Sequence, residues 1–146
     1  MGNGVSSPTE PEQPYEDSIS YCRIFRGSTA KAKNVNTLNC RCLDLSCNGL
    51  TKFPKAVMSI QALQVLDLSN NKLTNDLPRL DGFCALTTLD LSRNRLSEIP
   101  LSVCSITTLT TLTLTSNHIS RIPEEITQLC HLVELNMGVN SLRNIT

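Results

Sequence analysis

The sequence of 146 residues has no tryptophan, and aromatic residues make up only 3% of it. Stacking platforms for nucleic-acid bases are therefore missing. It has no excess of either charge, with 13 basic and 13 acidic residues. A nucleic-acid binder would carry a basic excess or stripe, so no nucleic-acid partner is expected. No apolar run approaches the roughly 18 residues of a membrane-spanning helix. No cationic start followed by an apolar segment marks a secretory signal. Composition thus predicts a soluble, cytoplasmic chain.

Glycine and histidine are scarce. The six glycines at 2, 4, 27, 49, 82 and 138 are scattered and form neither a phosphate loop nor a dinucleotide fingerprint. His118 and His131 sit in no zinc-protease or deaminase pattern, and no serine lies in a nucleophile elbow. No catalytic residue, cofactor or metal is expected. The seven cysteines are an odd number, and in the cytosol thiols stay reduced. Cys40, Cys42 and Cys47 lie close together but lack the second Cys/His pair that zinc sites use. They read as small buried hydrophobes.

Composition divides the chain into three. Residues 1–18 hold Pro8, Pro11 and Pro14 with Glu10, Glu12, Glu16 and Asp17 and no basic residue. Such a stretch cannot bury enough surface to offset its ordering entropy and is expected to be disordered. Residues 19–37 carry Arg23, Arg26, Lys31 and Lys33 with Ile19, Tyr21, Ile24 and Phe25 between them. They read as a basic, partly helical N-terminal cap.

Residues 38–146 repeat. CRCLDLSCNGL (40–50), LQVLDLSNNKL (63–73), LTTLDLSRNRL (86–96), LTTLTLTSNHI (109–119) and LVELNMGVNSL (132–142) align, with Asn48, Asn71, Asn94, Asn117 and Asn140 spaced 23 residues apart. This is the leucine-rich-repeat pattern. The two leucines of each L-x-L point to one side of a short strand. Leu43 and Leu45, Leu66 and Leu68, Leu89 and Leu91, and Leu112 and Leu114 are predicted to stack into one core, ending on Leu135 and Met137. Each asparagine amide supplies donors and an acceptor to a buried turn, so the five should form a ladder. No coil buries its own apolar face, so the array is stable only as a stack.

The second half of each repeat is regular as well. Phe53-Pro54, Ile99-Pro100 and Ile122-Pro123 each precede apolar residues three apart, as a helical turn or two requires. In the second repeat Leu77-Pro78 comes one residue late, which predicts a local bulge near Asn75 and Asp76. The expected fold is an α/β leucine-rich-repeat solenoid, right-handed and curved. Its parallel sheet would lie on the concave face and its short helical turns on the convex face.

These residues resemble the intracellular, Ras-group type of leucine-rich-repeat protein, with 23-residue units reading L-x-x-L-x-L-S-x-N-x-L-x-x-(L/I)-P-x-x-I-x-x-L. The Ras suppressor protein and scaffolds of the Scribble and Erbin kind carry such units. The resemblance covers about residues 38–146. It implies a non-enzymatic signalling scaffold whose partner is a protein, such as a small GTPase or a phosphatase.

A partner would meet the outward residues of the strands. Asp44, Asp67, Asp90, Thr113 and Asn136 stand between the paired leucines, and Cys42, Val65, Thr88, Thr111 and Glu134 stand two residues earlier. Just past the asparagines come Gly49, Lys72, Arg95, His118 and Ser141. From these columns the expected binding residues are Asp44, Asp67, Asp90, Thr88, Thr111, Thr113, Glu134, Asn136, Lys72, Arg95 and His118. Five strands span roughly 20 Å, enough for a peptide or a modest domain face. The plainer alternative is that such aspartates are merely solvated.

Met1-Gly2-Asn3-Gly4-Val5-Ser6 fits the myristoylation pattern M-G-x-x-x-S/T. Lipid attachment at Gly2 would place the chain peripherally on a membrane, but only with a second signal, for which the basic cap is the candidate. At the other end the fifth repeat is incomplete: it has its strand half but no proline and no helical half. An uncovered edge strand invites pairing. That leads to the expectation of an N-terminal fragment of a longer scaffold. Asn144-Ile145-Thr146 also matches a glycosylation sequon, which matters only on an exported chain. The competing class is a secreted or receptor-type repeat domain, which the missing signal and the odd cysteine count oppose.

Overall fold

The computed structural model describes residues 20–23 and 40–143. Six strands form one parallel sheet in chain order: β1 Ser20–Arg23, β2 Cys40–Asp44, β3 Val65–Asp67, β4 Thr88–Asp90, β5 Thr111–Thr113 and β6 Glu134–Asn136. From β2 onward the pairing keeps one register. Leu43 lies beside Leu66, Leu66 beside Leu89, Leu89 beside Leu112 and Leu112 beside Leu135. The bonding continues past the strands, where Leu45, Leu68 and Leu91 donate their N–H to Asp67, Asp90 and Thr113 of the next coil, each at 2.8 Å. The chain is a leucine-rich-repeat solenoid.

The core is the predicted stack. Leu66, Leu68, Leu112 and Leu114 are wholly buried, and Leu43, Leu45, Leu89 and Leu91 nearly so. The asparagine ladder closes the turns. Asn94 Nδ2 donates to Leu91 O of its own coil and to Leu68 O of the preceding one, both at 3.0 Å, while its Oδ1 accepts Leu73 N–H at 3.0 Å. Asn71, Asn117 and Asn140 repeat the arrangement. Backbone groups buried at the turns are thereby satisfied, which their burial demands. The residue before each ladder asparagine is left-handed: Cys47, Asn70, Arg93, Ser116 and Val139 have φ between 52° and 58°.

Pro54, Pro100 and Pro123 stand extended, each just before a single helical turn. Those turns are 3-10 over Lys55–Ser59 and Glu124–Gln128 and α-helical over Leu101–Cys104, here α1. The second repeat has no helical turn between β3 and β4. The late Leu77-Pro78 is absorbed by a tight turn in which Leu77 N–H donates to Asn75 O at 2.9 Å. Asn75 then braces the next coil, its Nδ2 donating to Glu98 O at 3.0 Å and its Oδ1 accepting Ser97 N–H at 2.8 Å. Leu80 and Phe83 fill the core below, and the Phe83 ring meets Phe53 edge-on at 6.5 Å.

Two expectations change. Ser20–Arg23 is a strand, where the cap reads as partly helical from sequence. The edge of β2 offers N–H and C=O groups that need partners, and pairing with them outweighs a weak local helical preference. The acidic tail, Gly2 and the sequon at Asn144 lie outside the described residues. Among the cysteines, Cys40 and Cys104 are buried as small hydrophobes, but Cys47, Cys84 and Cys130 are exposed and Cys42 is intermediate. Cys47 occupies the left-handed turn position, whose side chain points away from the core. Burial raises the Cys104 thiol above its usual range, with nearby Glu125 adding to the effect.

Candidate partner-binding surface

Alternation along the strands turns three columns of side chains to one face. The first is Val65, Thr88 and Thr111, half-exposed, followed by the exposed Glu134. The second is Asp44, Asp67, Asp90, Thr113 and Asn136. All three aspartates have work within the coil. Oδ1 of Asp44, Asp67 and Asp90 accepts the backbone N–H two residues on, at 2.9, 2.8 and 2.8 Å. Each thus holds the turn that leaves its strand, as short acidic side chains do. Asp44 is also nearly covered, at 8% exposure. The acidic column is therefore first a device of the turn, which its spacing alone does not disclose.

From β4 to β5 the face changes character. Thr88, Thr111 and Thr113 are half-exposed neighbours whose hydroxyls make no hydrogen bond among the described residues. Farther along, Asn136 Nδ2 donates to Glu134 Oε1 at 2.8 Å, so these two outward groups satisfy one another.

The third column is the rim. Lys72, Arg95 and His118 are exposed, and each is pinned by its backbone. Their N–H groups donate to Leu50, Leu73 and Leu96 carbonyls at 2.7, 2.8 and 2.8 Å. These side chains are thus presented one per coil at a fixed spacing. Arg93 joins them, exposed and left-handed with φ 52°. Sequence reasoning missed it. The signal was available, because the residue before each ladder asparagine occupies the same outward turn.

Two shallow hollows among the described residues adjoin the later coils. One, about 400 Å³, lies between α1 and the turn over Glu124–Gln128. It is lined by Leu101 and Ile122 with Glu98, Arg121 and Glu124 around them. Arg121 spans the coils to Glu98 at 3.0 Å. The other holds Cys84, Thr87, Thr110 and His131. His131 Nδ1 lies 3.0 Å from Thr107 O and 3.4 Å from Cys130 Sγ. Among the described residues no three of His, Cys, Asp and Glu are grouped to hold a metal ion, and no helix is long and apolar enough to cross a membrane.

Comparison with known proteins agrees on the fold. Family models of leucine-rich repeats match residues 61–103, as two copies, and 84–142. No curated protein matches. Among solved structures, the BIR2 ectodomain from Arabidopsis thaliana is 32% identical with a TM-score of 0.58, over 69% of this chain and 55% of that one. Internalin C2 from Listeria monocytogenes is 25% identical with a TM-score of 0.67, over 83% of this chain and 50% of that one. The BIR3–SERK2 complex from Arabidopsis thaliana contains a chain 33% identical with a TM-score of 0.59, over 70% of this chain and 57% of that one. The present chain spans about half the length of these solved relatives.

These relatives correct part of the sequence reading. The resemblance to the intracellular Ras-group type, to the Ras suppressor protein and to Scribble and Erbin scaffolds does not stand. The similar structures are receptor ectodomains and internalins. With it go the cytoplasmic placement, the peripheral membrane contact and lipid attachment at Gly2. The physical reason is that the motif residues are structural. Leucines fill the core, asparagines build the ladder and prolines start the turns. Those needs are the same in every compartment, so the motif specifies the coil and not where it works.

Proposed function

We propose, from a leucine-rich-repeat solenoid whose repeats match over residues 61–142, that this chain is a non-enzymatic protein-interaction module that binds its partner on the sheet face. The observation that carries this reading is the β4–β5 surface. Thr88, Thr111 and Thr113 stand half-exposed with their hydroxyls uncommitted, on strands held rigidly in register. A preformed array of short polar groups loses little side-chain entropy on binding. Around it stand Asp67 and Asp90 on one side, Glu134 and Asn136 on the other, and Lys72, Arg95 and His118 along the rim. Asp44 contributes least, being nearly covered.

The relatives support an interaction role. One of them was solved as part of a BIR3–SERK2 complex and another, RGFR1, as a peptide hormone receptor in complex with RGF2. A protein or peptide partner is the corresponding proposal here. A small GTPase or a phosphatase is the narrower form of it. That form drew its support from the intracellular resemblance and has no group on this surface that favours it.

A photo-crosslinking residue placed at Thr111, on the sheet face, and separately at Thr127, exposed on the opposite side, tests the face. Adducts with a partner should form from position 111 and not from 127. Equal adducts from both positions, or adducts from 127 alone, overturn the reading.

A further inference from the structure

The rim carries more positive charge than the turn needs. Lys72, Arg93 and Arg95 are exposed, and none is ion-paired among the described residues, in contrast to Arg79 and Arg121, which reach Asp81 and Glu98 at 2.7 and 3.0 Å. Arg41, exposed at the start of β2, is likewise unpaired among the described residues. Two carboxylates of the face, Asp67 and Asp90, each engage a backbone N–H through Oδ1. Backbone bonds at 2.7 to 2.8 Å hold Lys72, Arg95 and His118 in one column across three coils. Within it Lys72 and Arg95 set cations on neighbouring coils, about 4.8 Å apart.

The chain contains a segment of matching chemistry. Residues 8–18, PTEPEQPYEDS, hold Glu10, Glu12, Glu16 and Asp17 with no basic residue. Glu10 and Glu12 are two residues apart, about 6 to 7 Å in an extended chain. That spacing serves neighbouring cations of the rim. Two residues beyond the segment, Ser20 pairs with Cys40 next to Arg41. From Ser20, ten residues of Pro-rich chain at about 3.1 Å each reach about 30 Å. The path to Arg93 and Arg95 is shorter. It takes three strand steps of about 4.8 Å and one short strand of about 10 Å.

We propose that the acidic segment 8–18 docks on this chain's own basic rim. Glu16 and Asp17 would lie near Arg41, and Glu10 and Glu12 would reach Lys72, Arg93, Arg95 and His118. Exposed ion pairs are individually weak, but tethering supplies the segment at an effective concentration that a free acidic peptide rarely reaches. The rim is then occupied by the chain itself, and an acidic partner must displace the segment. This inference stands whether or not the sheet face binds a partner.

Amide NMR of the full chain tests it. The wild type is compared with a variant carrying Glu10→Gln, Glu12→Gln, Glu16→Gln and Asp17→Asn. The amides of Lys72, Arg93, Arg95 and His118 should shift, and those of Glu124–Gln128 should not. Raising salt from about 0.05 to about 0.5 M, which shortens screening from more than 10 Å to a few ångströms, should move the wild-type rim signals toward the variant's. In the reverse arm, Arg93→Gln with Arg95→Gln should shift the amides of Glu10 and Glu12. An unmoved rim, or shifts confined to residues 23–33, overturns the proposal. So do shifts that vanish on dilution, which would place the segment on a second copy.

Discussion

Between β2 and β6 every neighbouring pair keeps the same register, whereas the four links on the opposite side take three forms. Two make a 3-10 turn, one makes a turn of α-helix, and the link between β3 and β4 makes no helical turn at all. Both sides come from the same repeats. The difference lies in what each must satisfy. On the strand side each coil shares backbone hydrogen bonds and asparagine bonds with its neighbours, and a one-residue slip would break that ladder and turn the leucines outward. On the other side the demand common to all four links is to fill volume with apolar side chains. Leu80 and Phe83 meet that demand without a helix as well as Val103 and Ile106 do with one.

The ladder asparagine should be the most costly point to disturb. Asn94→Ala removes two donated bonds to Leu68 and Leu91 carbonyls and leaves Leu73 N–H buried without its acceptor. A loss of about 4 kcal/mol is expected, read from denaturant midpoints with an unchanged slope. A loss below about 1 kcal/mol would mean that water or neighbouring groups replace the amide readily.

A core leucine on each side sharpens the contrast. Leu91→Ala, at a nearly fully buried strand position, should cost about 3 kcal/mol. Leu77→Ala, only partly buried in the link that lacks a helical turn, should cost about 1 kcal/mol. Equal losses would show that the irregular link is packed as tightly as the strand side.

The smallest effect is a gain. Val139 is β-branched and held at φ 54°, where such a residue is strained and glycine is not. Val139→Gly should raise the thermal midpoint, by about 1 kcal/mol of stability or less. A loss instead would show that the Val139 side chain, 78% exposed, contributes packing that outweighs the strain.

Much of the fold was legible because its determinants are local and recur. Leu66 and Leu89 announce an inward face by alternation, and Asn71 and Asn94 announce a turn by interval. The outward columns of the candidate site were legible, since alternation also says which residues face outward. Their employment was not. That Asp67 and Asp90 hold their own turns, that Arg93 joins the rim and that Thr88, Thr111 and Thr113 remain uncommitted depends on distances between atoms. The motif misled about compartment because its residues answer only to the core and the ladder.

The 23-residue interval by itself determined a stacked solenoid, the face each leucine takes and the line of ladder asparagines. A period repeated through the chain leaves one way to bury every coil against the next. Only the tertiary structure decided that Ser20–Arg23 joins the sheet as β1, that the link after β3 does without a helical turn, and which outward groups are free. Those outcomes turn on unpaired backbone edges, leftover volume and hydrogen-bond partners in neighbouring coils. Such quantities exist only once the coils are stacked.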